Sequence, residues 1–209
     1  MAKPRPRGAE RLTNIRAQQI RFVLFCEGAN TEPEYFRALA RSLSQNTVTL
    51  RTVPAAGDPL GIAQKATKWM RAKDQRVGNI DAYEKGDQVW AVFDRDQHER
   101  FDEAVSLCER QGVSIARSNP CFEVWLILHH EDCHAPLTRF AAQRQLEKLC
   151  PEYDRDGGKT VDCAKLLARL DEAEARAEKH LAARRDDGKP FGASSTTVHL
   201  LTKAISGKA

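Results

Sequence analysis

Short apolar runs rich in strand formers alternate with amphipathic helical stretches as far as residue 135, and this alternation limits the fold more than any other feature of the chain. Phe22-Val-Leu-Phe-Cys26 stops abruptly at Glu27-Gly28-Ala29-Asn30. Thr31-Glu32-Pro33-Glu34 then has the form of a capping box with proline in the first turn, and Tyr35, Phe36, Leu39, Ala40 and Leu43 follow at helical spacing. The pattern repeats. Residues 46–53 read as a strand, and Asp58-Pro59 opens a helix that runs through Lys73. After a polar connection over 74–87, Gln88 to Phe93 is a buried strand that breaks at Asp94-Arg95-Asp96-Gln97. A helix over 99–111 closes at Gly112, and Val113 to Arg117 is a fourth strand. Ser118-Asn119-Pro120 starts a helix reaching His130. Beyond Thr138 the chain reads as helical, with one long helix over 161–184 and a short one starting near 194–196.

Strands alternating with helices predict an α/β fold: a mainly parallel, four-stranded sheet flanked by helices, with a helical C-terminal extension. The expected division is a basic arm over 1–21, an α/β core over 22–135 and a helical extension over 136–209 that packs on the core. A hydrophobic content of 41% with 30% charged residues supports a water-soluble globule with a real core. Apolar runs such as Val89 to Phe93 and Val124 to Leu128 span five residues, far short of the ~20 needed to cross a bilayer. The basic N-terminal stretch has no apolar signal-peptide core, so a cytoplasmic address and no membrane contact are expected. Six cysteines without a Cys-x-x-Cys pair read as reduced, packed thiols, Cys26 included. Trp69, Trp90 and Trp125 read as core.

Charge is unevenly placed. Lys3, Arg5, Arg7, Arg11, Arg16 and Arg21 against Glu10 give the arm +5, while the whole chain carries +4. The arm either reaches an acidic partner such as nucleic acid or is a solvated tail.

The acids stand where strands end. In an open parallel sheet, ligands bind at the carboxyl ends of strands near a reversal of strand order. Glu27 ends the first strand; Asp94 ends the third, with Asp96 two residues on. If the backbone stays extended, Asp94 and Asp96 share a face and can meet one ion. Oxygen donors without His or Cys suit Mg²⁺ or Mn²⁺. The alternatives are a turn-forming or capping Asp94 and a solvated Glu27. Gly28 permits close backbone approach. Glu123, embedded in an apolar helix, lies on a solvent stripe or turns inward to meet a metal or a cation such as Arg95 or Arg117. His129, His130, Cys133 and His134 lie close together, but histidines at a helix C-terminus favour the dipole and are the simpler reading than zinc.

Residues 26–36 (CEGANTEPEYF), 92–98 (VFDRDQH) and 118–130 (SNPCFEVWLILHH) resemble the signature blocks of the RloB-like family, and 194–205 (SSTTVHLLTKAI) resembles its closing segment. That family is similar to Toprim-fold nucleases. The resemblance implies a Toprim-like sheet, with Glu27 as the acid after the first strand, Asp94 and Asp96 as a metal pair, Glu123 as an additional acid and Asn119 as a supporting residue. It also implies antiviral defence beside an ATPase of the ABC or AAA type.

The tyrosines Tyr35, Tyr83 and Tyr153 lack a topoisomerase context, and no primase platform is visible. Phosphodiester hydrolysis is therefore expected. Glu27, Asp94 and Asp96 would bind Mg²⁺ or Mn²⁺, with Glu27 as the alternative general base. Arg95, Arg117 and the arm would grip phosphates of DNA or RNA. A non-catalytic nucleic-acid-binding or regulatory subunit of an ATPase complex is the alternative. A phosphotransferase fits less well, because there is no P-loop and no glycine cradle beyond Glu27-Gly28. The apolar stripe of the 161–184 helix packs on the sheet or on a second copy of the chain.

Overall fold

The computed structural model describes residues 20–43, 48–54, 57–74, 86–96, 98–133, 135–155 and 158–208. Arg5, Arg7, Arg11 and His134 lie outside the described residues, as does much of the 74–87 connection. Strands β1 (Ile20–Cys26), β2 (Val48–Pro54), β3 (Gln88–Asp94), β4 (Ser114–Asn119) and β5 (Ser195–Thr196) form one sheet in the order β2-β1-β3-β4-β5. The first four are mutually parallel, and β5 runs antiparallel to β4. The helices are α1 (Thr31–Ser42), α2 (Pro59–Asp74), α3 (Phe101–Arg110), α4 (Glu123–Leu128), α5 (Arg139–Leu149), α6 (Cys163–Leu167), α7 (Leu170–Asp186) and α8 (Val198–Ser206). This α/β architecture, a mostly parallel sheet flanked by helices, is consistent with the expected Toprim-like fold.

Strand alternation divides the interior in two. Phe22, Leu24 and Cys26 of β1 join Trp90 and Val92 of β3 in one core, together with side chains of α1, α4, α5, α6, α7 and α8. Val23 and Phe25 join Val89, Ala91 and Phe93 in the other, covered by α2 and α3. Burial on both faces explains why β1 and β3 are uninterrupted apolar runs. Asp58 caps α2 as expected, its Oδ1 accepting from the Gly61 amide at 2.9 Å. Gly112 closes the α3 turn at φ +68°.

Four local expectations need correction. The Thr31 hydroxyl does not cap α1; it donates to the Lys159 carbonyl at 2.7 Å. The predicted helix from Asn119 starts only at Glu123, because β4 continues through Asn119 beside β3 and the chain is held there as far as Pro120: the Arg95 and Asp96 amides donate to the carbonyls of Ser118 and Pro120. Asn119 is therefore no cap, and its side-chain amide donates to Phe191 O at 2.8 Å. The single 161–184 helix is two. Asp162 caps α6, which packs on α1, whereas α7 begins after Arg169 and packs on α4. Each half follows a different neighbour, and Arg169 reaches the His130 carbonyl at the break. Finally, the segment near Ser194 adds a fifth, two-residue strand before α8 begins at Val198.

Trp90 and Trp125 are buried core residues, while Trp69 is partly buried beneath the Arg51 guanidinium. Cys26 is fully buried, and burial pushes its thiol well above the ordinary range, so it is inert. No helix among the described residues is long and apolar enough to cross a membrane.

His129 is fully buried against Tyr35 and Trp125. The Tyr35 hydroxyl donates to Nε2 and Nδ1–H donates to Trp125 O, each at 3.0 Å. Burial pulls its pKa from 6.5 down to about 4. Between those values the unfolded chain takes up a proton that the folded chain refuses, so stability falls as pH falls from 6.5 to 4. The loss attributable to this one residue is about 3 kcal/mol. Urea unfolding across this window should show wild type losing more stability than His129→Gln by that order; parallel curves would contradict the assignment.

Candidate active site

The order β2-β1-β3-β4 sends the chain from β1 outward in one direction and from β3 in the other. The gap at their carboxyl ends is therefore not closed by a connecting loop. It opens on a cavity of about 270 Å³ whose wall includes Glu27, Glu32, Asp94 and Glu123, with Arg139 and Lys159 facing them.

Glu27 links the two strand ends. Its backbone amide donates to Val92 O at 3.0 Å, and its Oε2 accepts from the Asp94 amide at 3.0 Å. His98 Nε2 faces its other oxygen at 3.8 Å. Gly28 follows, and its amide donates to Glu32 Oε1 at 3.1 Å. A Cβ on residue 28 would lie 1.9 Å from Glu32 Oε2, so only glycine lets this carboxylate fold back over the turn. Asp94, 6% exposed, sits beside them on the face of the sheet that carries α4. Glu123 turns inward and is 4% exposed. Its Oε1 accepts from the Tyr153 hydroxyl at 2.6 Å and from Gln143 at 3.3 Å, and Lys159 Nζ is 3.7 Å away. The cation that meets Glu123 is thus Lys159, not Arg95 or Arg117.

Asp96 parts from Asp94. The strand ends at Asp94, and Asp96 adopts φ +34°, so the two do not share an extended face. Its carboxylate accepts from Arg139 Nη1 at 2.7 Å. Arg95 and Arg117 do not line the cavity. Arg117 pairs in register with Phe93, on the α2/α3 face, and stacks on Phe191 with its guanidinium carbon 3.4 Å from the ring centre; Arg95 lies over Phe101. Burial pulls the Arg117 pKa below its ordinary value. His129 is committed to the core, and His130 Nε2 lies 3.1 Å from Cys150 Sγ.

The carboxylates are driven apart electrostatically. Burial, followed by the charges of Glu32, Glu27 and Glu123, pushes Asp94 well above the carboxylate range, and Arg139 only partly offsets this. Burial likewise raises Glu27 against the Asp94 amide and His98, and raises Glu32 with help from Glu123 and Glu27. Glu123 differs. Burial works upward, but hydrogen bonds from Tyr153 and Cys121 and the Lys159 charge outweigh it, so its pKa is lowered. Burial opposes the Arg139 charge too, yet Asp96 and Asp94 hold its pKa above the usual arginine value.

Repelling carboxylates around one polar-lined cavity are the donor chemistry of a hard divalent cation. Among the described residues, no three His, Cys, Asp or Glu side chains are gathered closely enough to hold a metal as they stand. The donor set fits such an ion in kind and charge: Glu27, Asp94 and Glu32 all line the cavity, and burial raises the pKa of each.

Sequence reasoning missed Glu32, Arg139, Tyr153 and Lys159. Glu32 was masked by its place in an apparent capping box. Lys159 carried a signal in Gly157-Gly158-Lys159, a glycine pair before a cation, and Gly158 and Lys159 indeed take φ of +112° and +56°.

Because the Asp94 carboxyl is held above its unfolded value, the stability tied to its protonated form is complete below pH 3.8 and is lost as pH rises through the folded value. Asp94→Asn should therefore melt a few degrees above wild type at pH 7, the scale of ~1 kcal/mol in a chain of this size, with the advantage vanishing near pH 4. Calorimetry at both pH values tests this. A variant less stable at neutral pH would contradict it.

A family model described as RloB-like protein matches residues 22–205. No curated protein and no solved structure matches the chain.

Proposed function

Since the chain belongs to the RloB-like family over residues 22–205, we propose that it is a divalent-metal-dependent nuclease hydrolysing phosphodiester bonds of DNA or RNA. Its place in antiviral defence beside an ATPase partner is part of the same proposal, drawn from the family resemblance. The observation that carries the hydrolytic reading is the group of buried, mutually repelling carboxylates at the β1/β3 reversal, with cations on the facing wall.

Glu27, Asp94 and Glu32 would hold Mg²⁺ or Mn²⁺, which when bound polarises the scissile phosphate and lowers the pKa of water. Glu27, its pKa raised by burial and its Oε2 held by the Asp94 amide, is the alternative general base that would accept a proton from the attacking water. Glu123, kept ionised, orients Lys159, and Lys159 and Arg139 are the cavity cations available to non-bridging phosphate oxygens. Tyr153 and Gln143 fix the Glu123 rotamer. Arg95 and Arg117, on the other face, are left to contact the polymer at a distance from the bond being cut.

One observation favours the second reading, a nucleic-acid-binding or regulatory subunit that does not cut. Arg139 engages Asp96, so the Asp-x-Asp pair is divided as the structure stands. The two readings part in a cleavage assay on plasmid DNA, single-stranded DNA and total RNA with Mg²⁺, Mn²⁺ or EDTA. The hydrolytic reading expects metal-dependent cleavage that Glu27→Ala or Asp94→Ala lowers at least ~100-fold, while calorimetry shows the variants folded. Binding in EDTA without cleavage in any metal would move the assignment to the second reading.

A further inference from the structure

Phe140 belongs to neither core, yet it is a large aromatic side chain left 57% exposed. It stands in the first turn of α5, which is capped by Thr138, the Oγ1 of which accepts from the Ala141 amide at 3.2 Å. That turn carries no acid, although acids are favoured where helix amides point outward. It carries Arg139 instead, and Arg139 is part of the acidic cavity's wall.

Two guanidiniums converge on the ring. Arg144, one turn along α5, lies 5.7 Å from the ring centre, and Arg155 lies 5.1 Å from it. Arg155 comes from the segment that leads into Gly158 and Lys159, again part of the cavity wall. The exposed ring thus follows one cavity residue, Arg139, directly in the chain, and touches Arg155, which stands three positions before another, Gly158. Cations gathered around a solvent-exposed aromatic ring complement a ligand with both a flat π-surface and a negative backbone.

We infer that Phe140, with Arg144 and Arg155, is a stacking platform for one unpaired base of a single-stranded nucleic acid, next to the phosphate delivered to the acidic cavity. The inference rests on the nucleic-acid reading of that cavity and adds its substrate class: an unstacked strand, not a regular duplex. A base buried in a helix has no free face to offer the ring. Stacking of this kind tolerates sequence, because every base has a π-face. Arg139 and Lys159 then take the adjoining phosphate.

The test is fluorescence anisotropy of labelled oligothymidylate and oligouridylate, in EDTA, with the full chain. Phe140→Ala should weaken binding roughly 5- to 100-fold. Phe140→Trp should retain it, and the salt slope should stay unchanged because no phosphate contact is lost. An abasic strand of equal length should bind wild type as weakly as the alanine variant binds the intact strand. Equal affinity of wild type and Phe140→Ala, equal affinity of the abasic strand, or failure of wild type to bind any single strand overturns the platform. Phe140 is exposed, so the alanine variant should melt with wild type. Phe140-dependent binding without cleavage in any metal upholds the platform and removes the hydrolytic reading. Metal-dependent cleavage with binding indifferent to Phe140 does the reverse.

Discussion

Parallel pairing of β1 with β3 is the constraint from which the remaining architecture follows. Both strands are buried on both faces, so each needs a helical layer above and below, and each must be followed by a crossover. The crossovers leave in opposite directions because β2 and β4 flank the pair on opposite sides. Among the described residues, no crossover then runs directly between the carboxyl ends of β1 and β3. The Glu27 carboxylate, hydrogen-bonded to the Asp94 amide, ties the two strand ends together at that opening.

The opening is costly to the fold. Asp94, Glu32 and Glu27 are all held above their ordinary pKa values by burial, and neighbouring carboxylates add to it: Glu32 and Glu27 at Asp94, Glu123 and Glu27 at Glu32, and Asp96 at Glu27. A chain selected for stability alone would place apolar or amide side chains there. Glu123 shows what relief looks like. With Tyr153, Gln143 and Lys159 around it, the same burial leaves its pKa lowered. Glu27 and Glu32 each accept from a backbone amide, yet burial still leaves their pKa values raised. Contrasting environments of this kind are how a single pocket keeps acids in different protonation states.

What was readable in the sequence follows from how local each signal is. The buried strands at 22–26 and 88–93, the acids that end them and the Asp58 cap depend on residues within a few positions of one another, and they were legible. The partners of Glu123 were not, because Tyr153 and Lys159 come from a segment brought in by tertiary packing. The break between α6 and α7 was hidden because Ala, Leu, Glu and Arg favour helix throughout, while packing on α1 and on α4 pulls the halves apart. Asp96 misled for the opposite reason: i, i+2 alternation holds only while the backbone is extended, and the backbone turns at that residue. Two-residue β5 has too little sequence to carry a period at all.

The cavity wall draws on residues 27–32, 94, 122–123, 139 and 158–159. The Thr31 hydroxyl meets the Lys159 carbonyl across 128 positions of chain, and the Asn30 amide meets the Gly158 carbonyl across the same separation. Chains fold from the N-terminus as they are synthesised. The sheet can pair once β4 has emerged, but the rim of the cleft waits for a segment far downstream. A ribosome making this protein therefore carries an unfinished cleft after the parallel strands have emerged, and the pocket gains its full rim only once residues 158–159 come free.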